Sequence, residues 1–309
     1  MTSTGIEPTH ECDHDAVIIG GGPAGCSAGV FTARYGLDTV IFDRGRSSIQ
    51  QCAHLENYLG FPAGIDIETL YALMHDHVEE AGCEIVPDLV ESIERADSGD
   101  GFVVEVQEGD AVTARRVVAA TRYDGEYMRG LDDESAMFEE YEHGGETHET
   151  FDSEYADNDG TTPVDGLYVA SPSTEADRQA IMAAGRGARV GLRVVEDARK
   201  DRGYPEAVAD HYDWMYQESA VGDEWRDRDR WREWFAEQLP DDHGLDKARR
   251  VALREREIDR SFETYLSDEE IEQRGVRGQK RLLCHVDDEL ILDAAREIEA
   301  EHHPNEVGD

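Results

Sequence analysis

The sequence predicts an α/β fold followed by an α-helical extension, and three observations carry that prediction. A short apolar run, Asp15-Ala-Val-Ile-Ile19, leads directly into the glycine cluster Gly20-Gly21-Gly22-Pro23-Ala24-Gly25 and then into a helical stretch that ends at Tyr35, with Gly36 as its stop. From Leu89 to Ala120 the pattern changes to short alternating strands separated by turns. From Asp201 onward the periodicity is helical.

The first observation describes strand, tight turn and helix. Thr39-Val-Ile-Phe42 supplies the next strand and ends at Asp43, which closes a βαβ unit of the usual roughly 30 residues. Asp66 is placed to cap a second helix, whose Leu70, Leu73, Met74, Val78 and Ala81 recur at helical spacing and whose stop is Gly82. Cys83 to Val86 reads as a strand. Phe102 to Val106 alternates, Glu108-Gly-Asp110 turns, and Val112 to Ala120 returns to an apolar end, a β-meander leading back to the main sheet. Residues 123–165 hold fifteen acids against one base, Arg129, and read as an exposed acidic linker. Gly166-Leu-Tyr-Val-Ala170 is again a strand, and Thr174 with Asp177 suggests a capping box for the helix that follows. In the extension Pro205 suits a first helical turn, Ser267 with Glu270 forms another capping box with Gly275 as stop, and Leu290, Ala294 and Ile298 mark a last stripe. The expected organisation is a polar tail over 1–14, a three-layer Rossmann-like domain over 15–200 interrupted by 123–165, and helices over 201–309.

Charge is the outlier of the composition. Thirty basic residues face 71 acidic ones for a net charge of −41, and only Lys200, Lys247 and Lys280 are lysines. Such acidity repels nucleic acid and anionic membranes. It reads as a surface adapted to molar salt, where the Debye length falls to about 3 Å, and a halophilic cytoplasm is the expected setting. The N-terminus lacks a signal-peptide pattern, and no stretch reaches the roughly 18 apolar residues of a membrane span. The five cysteines, Cys12, Cys26, Cys52, Cys83 and Cys284, contain no C-x-x-C and read as intracellular thiols.

The string from Gly20 to Gly25 matches G-x-G-x-x-G in the strand–turn–helix context that gives it chemical meaning. Its first glycine permits the tight turn, the second lets the backbone approach a pyrophosphate, and the third packs helix on strand, with the helix N-terminus favouring the anion. Asp43 follows about 20 residues later at a strand end, where a carboxylate accepts hydrogen bonds from an adenosine ribose.

Ala16 to Asp43 resembles the FAD-binding start of the thioredoxin reductase family, and Glu56-Asn-Tyr-Leu-Gly-Phe-Pro62 is similar to that family's E-N-Y-P-G-F-P segment. Val118-Ala-Ala-Thr121 resembles its A-T-G strand end, and Gly166 to Ala170 with Arg178-Gln-Ala180 resembles its closing flavin-binding segment. The resemblance implies an FAD cofactor, with Gly20, Gly22, Pro23, Ala24 and Gly25 at the pyrophosphate and Asp43 at the ribose. It brings Gln51 and Asn57 to the flavin side, Thr121 and Ser171 to the strand ends beside the cofactor, and Arg178, Gln179 and Ala180 to the isoalloxazine. Three departures stand beside it. Arg122 replaces the glycine of A-T-G, Ser171-Pro172 replaces the G-D of A-G-D, and the 43 residues of 123–165 stand where the family inserts a pyridine-nucleotide domain with its own glycine motif and C-x-x-C.

The resulting expectation is an FAD-dependent oxidoreductase whose electrons come from a separate redox protein or a freely docking NAD(P)H. The Arg-rich stretch from Arg226 to Arg232 is a candidate docking surface. Two alternatives stay open: a flavin- or nucleotide-binding regulatory or structural protein without turnover, motivated by Arg122 and Ser171-Pro172, and an NAD-binding single-Rossmann protein, against which the meander and the Arg178-Gln179-Ala180 match argue. A homo-oligomer is compatible with the sequence. Cys52 is a weak candidate for a thiol facing the flavin and His54 for a proton shuttle; a buried or incidental cysteine and an ordinary polar histidine are commoner. His10, Cys12 and His14, and His143 with His148, carry metal-capable atoms, but a solvated tail and a solvated acidic segment are the better readings, so no metal is expected. Trp214, Trp225, Trp231 and Trp234 suit helix packing.

A charge of −41 is destabilising when unscreened. The helical circular dichroism signal is therefore expected to melt cooperatively in molar KCl and to weaken in dilute buffer; an unchanged melt in dilute buffer would remove the salt-adaptation reading.

Overall fold

The computed structural model describes residues 12–45, 47–97, 99–122, 124–171 and 179–302. The chain divides into two compact units, Met1–Asp213 and Trp214–Asp309.

The first unit begins with β1 (Ala16–Ile19), α1 (Pro23–Tyr35) and β2 (Thr39–Phe42), followed by the short pair β3 (His54–Leu55) and β4 (Ile65–Asp66), then α2 (Ile67–Glu80) and β5 (Glu84–Val86). The meander is β6 (Val90–Arg95), β7 (Phe102–Val106) and β8 (Val112–Ala114), and β9 (Val117–Ala120) returns to the main sheet. A one-turn helix α3 (Glu134–Met137), a hairpin of β10 (Phe138–His143) and β11 (Glu146–Phe151), strand β12 (Leu167–Ser171) and the long helix α4 (Ala180–Asp201) complete it.

β5, β2, β1, β9 and β12 lie side by side in that order, all parallel. Their side chains alternate between two cores, because successive residues of a strand point to opposite faces. Val17, Ile19, Val40, Phe42, Val117, Ala119, Leu167 and Val169 face the meander, where they meet Ile93, Phe102 and Val104. Ala16, Ile18, Ile41, Val118, Ala120, Tyr168 and Ala170 face the helices, where they meet Ala24 and Ala28 of α1 and Val190, Val194 and Ala198 of α4. Both faces are covered, so the strands read as unbroken apolar runs. Each such Val or Ile contributes about 1.5–3 kcal/mol by burial.

Several local signals act as the sequence predicts. Gly36 ends α1 in the left-handed region at φ 95°, and the Asp66 carboxylate accepts from Thr69 N at 2.8 Å to cap α2. The Thr174–Asp177 capping box lies outside the described residues, as does most of the 1–14 tail.

The segment 124–165 departs from the expectation of an exposed linker. Its acids are exposed, but Tyr127, Met128, Met137, Phe138, Phe151 and Val164 are buried in the meander-side core. The hairpin is anchored at its base, where Phe138 and Phe151 pair edge to face with centroids 5.7 Å apart, and its remaining residues project into solvent. Arg129, the segment's one base, donates to Glu126, Glu134 and Glu149 and lies 4.0 Å over the Phe138 ring. Six apolar side chains spread among fifteen acids give no periodic signal, which is why composition alone suggests a linker.

The break between units falls after Asp213 rather than at 200/201. Arg199, buried in α4, donates to Val208 O at 2.8 Å and stacks 4.2 Å over Tyr204, and Arg34 binds Asp213 through two hydrogen bonds of 2.5 and 2.7 Å. These polar ties hold 202–213 to the first unit, and apolar periodicity does not register them.

The second unit contains β13 (Tyr216–Gln217), α5 (Arg228–Gln238), α6 (Lys247–Glu263), β14 (Tyr265–Leu266), α7 (Asp268–Leu283) and α8 (Asp288–His302). Its core is small, with Phe235, Leu253 and Ile258 fully buried. Trp225, Trp231 and Trp234 pack edge to face at 4.9 and 5.4 Å, while Trp214 is exposed. The Ser267–Glu270 capping box forms, but Gly275 does not stop α7, which continues to Leu283. Gly275 and Gly278 each cost the helix only about 1 kcal/mol, which does not stop a helix of 16 residues flanked by good helix formers.

The closest helix contact in the first unit is between α1 and α4. A Cβ at Gly187 would lie 2.0 Å from Ala24 O, whereas one at Gly185, two residues earlier, would meet nothing. Gly187→Ala is expected to force the helices apart at a cost of roughly 1–3 kcal/mol, while Gly185→Ala gains up to about 1 kcal/mol of helix propensity. Thermal melts of the two variants should shift in opposite directions.

Candidate functional site

The chain runs from β1 outward through β2 to β5 and then crosses back to β9 on the other side of β1. The carboxyl ends of β1 and β9 therefore flank the switch point of the sheet, the place where α/β sheets bind ligands. A cleft of about 450 Å³ opens there, lined by Gly20, Gly21, Gly22, Asp43, Arg44, Ser47, Ser48, Gln51, Asp88, Thr121, Arg122, Asp124 and neighbouring apolar side chains. Its volume is within the roughly 300–1,000 Å³ usual for small-molecule sites.

Its floor is the glycine turn. Gly20 sits at φ 107°, and a Cβ there would be 2.6 Å from Ala120 O, so the turn lies directly against the end of β9. A Cβ at Gly25 would lie 1.8 Å from Gly20 O, which brings the first turn of α1 onto the strand it follows. That first turn has Gly22 as an N-cap with no side-chain cap, Pro23 at its start and no acidic residue. Its N–H groups and the positive end of the helix dipole are thus available to an anion.

Asp43 is 7% exposed at the end of β2, and its carboxylate is held from several sides. Tyr71 of α2 donates its hydroxyl to Oδ2, Gly45 N donates to Oδ1 at 3.1 Å, and His75, one turn further along α2, places Nε2 3.5 Å from Oδ2. The same Nε2 lies 3.1 Å from Gly21 O, so His75 ties Asp43 to the glycine turn. Burial, reinforced by the hydrogen bond to Asp43, pushes the Tyr71 phenol far above its ordinary pKa, and it remains a donor. Tyr71 and His75 join this candidate site although the sequence does not single them out; their i, i+4 spacing is visible, but the strand end they face is not.

Of the residues expected at a cofactor, Gly20, Gly22, Asp43, Gln51 and Thr121 line this cleft. Thr121 is fixed by donating to Asp124 O and by Tyr127 OH at 3.0 Å. Pro23, Ala24 and Gly25 form the helix turn behind the floor, with Ala24 packed against α4. Asn57, Gln179 and Ala180 gather at a second place. Asn57 Nδ2 donates to Gln179 Oε1 at 3.0 Å across 122 residues of sequence, and Ala180, like Tyr58 and Phe61, packs against the cluster of Ile49, Ile65, Ile67 and Leu70. Ser171 accepts through its backbone carbonyl from Arg122 N at 3.3 Å. Arg178 lies outside the described residues.

Cys52 and His54 are exposed and line neither cluster. His54 packs its ring where Gly64 leaves room. Cys26 and Cys83 are buried, and burial raises both thiols, Cys83 to about 12 and Cys26 further, so neither is a nucleophile near neutral pH. Arg228, Arg230 and Arg232 of the proposed docking stretch are engaged with Asp259, with Glu233 and Glu237, and with Asp229 and Glu255. Among the described residues no cluster of His, Cys, Asp and Glu could hold a metal, and no helix is long and apolar enough to cross a membrane.

The donor set suits the adenosine diphosphate half of a dinucleotide, with an uncapped helix N-terminus for the pyrophosphate and a buried, oriented carboxylate for the ribose. Comparison with known proteins agrees. The thioredoxin reductase of Streptomyces clavuligerus is 32% identical over 110 residues, 35% of this chain and 34% of that protein, and an NADH dehydrogenase of Bacillus subtilis is 29% identical over 108 residues, 35% and 21%. The chain thus matches only about a fifth to a third of the length of these relatives. The solved structure of a thioredoxin reductase from Gloeobacter violaceus superposes with a TM-score of 0.51 over 67% of this chain and 98% of that one at 18% identity, a likeness of fold. Residues 14–170, half of the chain, match the family described as pyridine nucleotide-disulphide oxidoreductase, and with the glycine turn, Asp43 and the parallel sheet in place, the chain belongs to that family of FAD-binding, thioredoxin reductase-like oxidoreductases.

Proposed function

We propose that the chain is an FAD-dependent oxidoreductase that receives its electrons from a separate redox protein or a freely docking nicotinamide. The observation that carries this reading is the cleft at the switch point, with Asp43 held against the glycine turn by Tyr71 and His75. Gly20 and Gly22 would flank the pyrophosphate, Asp43 would accept from the adenosine ribose, and the Asn57–Gln179 pair would border the flavin. When bound, the flavin supplies the electron transfer, and the protein's contribution is orientation and electrostatics.

The segment 124–165 supports an external donor. In this reading it stands where relatives carry a pyridine-nucleotide domain, and it folds as an acid-rich hairpin with no second G-x-G-x-x-G. Hydride transfer needs the nicotinamide held about 3–3.5 Å from its acceptor, and fifteen carboxylates repel a dinucleotide's phosphates. A dithiol relay also lacks the C-x-x-C spacing, and the two cysteines that share a core, Cys26 and Cys83, are buried with their thiols held above their ordinary pKa.

Purified at high salt, the protein is expected to be yellow with about one non-covalent FAD, and Gly22→Val is expected to be colourless, because a branched side chain at the second glycine would occupy the space through which the backbone approaches the pyrophosphate. Anaerobic dithionite should bleach the flavin, and NADPH should do so slowly or not at all. A folded wild type that cannot be reconstituted with FAD refutes the cofactor reading; saturable NADPH reduction at catalytic rates refutes the external donor. A colorimetric disulfide reagent should modify Cys52 and Cys284 rapidly in the native protein, and Cys26 and Cys83 only after denaturation.

A further inference from the structure

We propose that Arg122 is a ligand-binding residue, the guanidinium that neutralises the pyrophosphate beside the N-terminus of α1. The inference rests on the dinucleotide reading of the cleft and extends it to a residue that the glycine motif does not contain.

Three observations converge on this side chain. Arg122 sits at φ 67°, the one non-glycine residue with positive φ among those described. A side-chain-bearing residue pays for that conformation, and it persists where the surroundings over-determine it, most often at ligand sites. The backbone here is fixed by Arg122 N donating to Ser171 O at 3.3 Å, which joins the ends of β9 and β12.

The conformation aims the side chain at the cleft. Arg122 is among its lining residues, and its Nη1 donates to Ser48 Oγ at 2.9 Å. The adjacent Ser47 Oγ is 2.8 Å from where a Gly22 Cβ would stand. The guanidinium is therefore held beside Ser47 and Ser48, on the side of the cleft that borders the uncapped first turn of α1. A planar guanidinium with several N–H donors is suited to bidentate phosphate recognition.

Charge within the cleft supplies the third argument. Its lining carries the carboxylates of Asp43, Asp88 and Asp124, and of its two arginines Arg44 lies 3.7 Å from Asp124. Helix N–H groups alone would face a dianion among three carboxylates. Arg122 offsets that repulsion, and the strain of its backbone is the cost of placing a cation where a glycine would fit without strain.

The test separates binding from folding. Wild type, Arg122→Gly and Arg122→Gln are compared by isothermal titration with FAD, NADH, ADP and adenosine at one KCl concentration, and by thermal melts without ligand. Arg122→Gly is expected to melt higher than wild type because the strain is relieved, yet to bind FAD and ADP at least about tenfold more weakly with adenosine affinity unchanged. Arg122→Gln, which keeps the side-chain length and loses the charge, should show the same selective loss. Equal or tighter binding of FAD and ADP by both variants overturns the proposal, as does a parallel loss of adenosine binding, which marks a merely structural role. A wild type that binds ADP or NADH but not FAD overturns the flavin reading alone, and the Arg122 comparison is then decided on ADP. A folded wild type that binds none of the four overturns both.

Discussion

The first unit depends on one close approach, that of the first turn of α1 to the end of β1. With Gly25 against Gly20 O, Gly20 against Ala120 O and Gly187 against Ala24 O, the central strand, its neighbour β9 and the helices α1 and α4 meet within single van der Waals contacts. Interiors packed this densely transmit displacement instead of absorbing it. The helix N-terminus is consequently fixed relative to the sheet before any ligand arrives, and a preorganised dipole costs nothing to orient when an anion binds.

An acid-rich chain has to build such a structure with few cations, and it uses arginine to do so. Arg199 reaches from α4 to a backbone carbonyl and an aromatic face, Arg129 gathers three glutamates around the hairpin base, and Arg232 bridges α5 to Glu255 of α6 through two hydrogen bonds of 3.0 and 2.9 Å. The planar fork of arginine presents its donors in a fixed geometry to several acceptors while the aliphatic stem covers apolar surface. Arg228 and Arg232 are accordingly bound up in ion pairs that join α5 to α6.

The acidic segment has a topological task as well. β9 and β12 are parallel neighbours, so the chain between them must travel the length of the sheet and return, which takes a dozen or more residues. Residues 124–165 make that journey with a hairpin whose base is clipped into the meander-side core by Phe138 and Phe151, leaving the glutamate-rich strands in water. Burying a few aromatics at the base while solvating the rest lets a strongly charged insert remain ordered.

The βαβ unit, the cap of α2, the meander and the return strand β12 were legible in the sequence because each rests on contacts between residues near in the chain: strand alternation, helical spacing, a carboxylate three residues before the N–H it accepts. The floor of the cleft and the place of Asp43 were legible for the same reason, since a strand, a glycine turn and a helix leave little choice of geometry. Contacts that cross the fold were not. Tyr71 and His75 reach Asp43 from another helix, Asn57 meets Gln179 across 122 residues, and the left-handed Arg122 takes its direction from Ser171 and Ser48. By itself the sequence determined the strand, glycine turn and helix and the carboxylate at the end of the next strand; only the tertiary structure decided which side chains orient that carboxylate and that Arg122 lines the same cleft, because those positions depend on where parallel crossovers bring distant strand ends together.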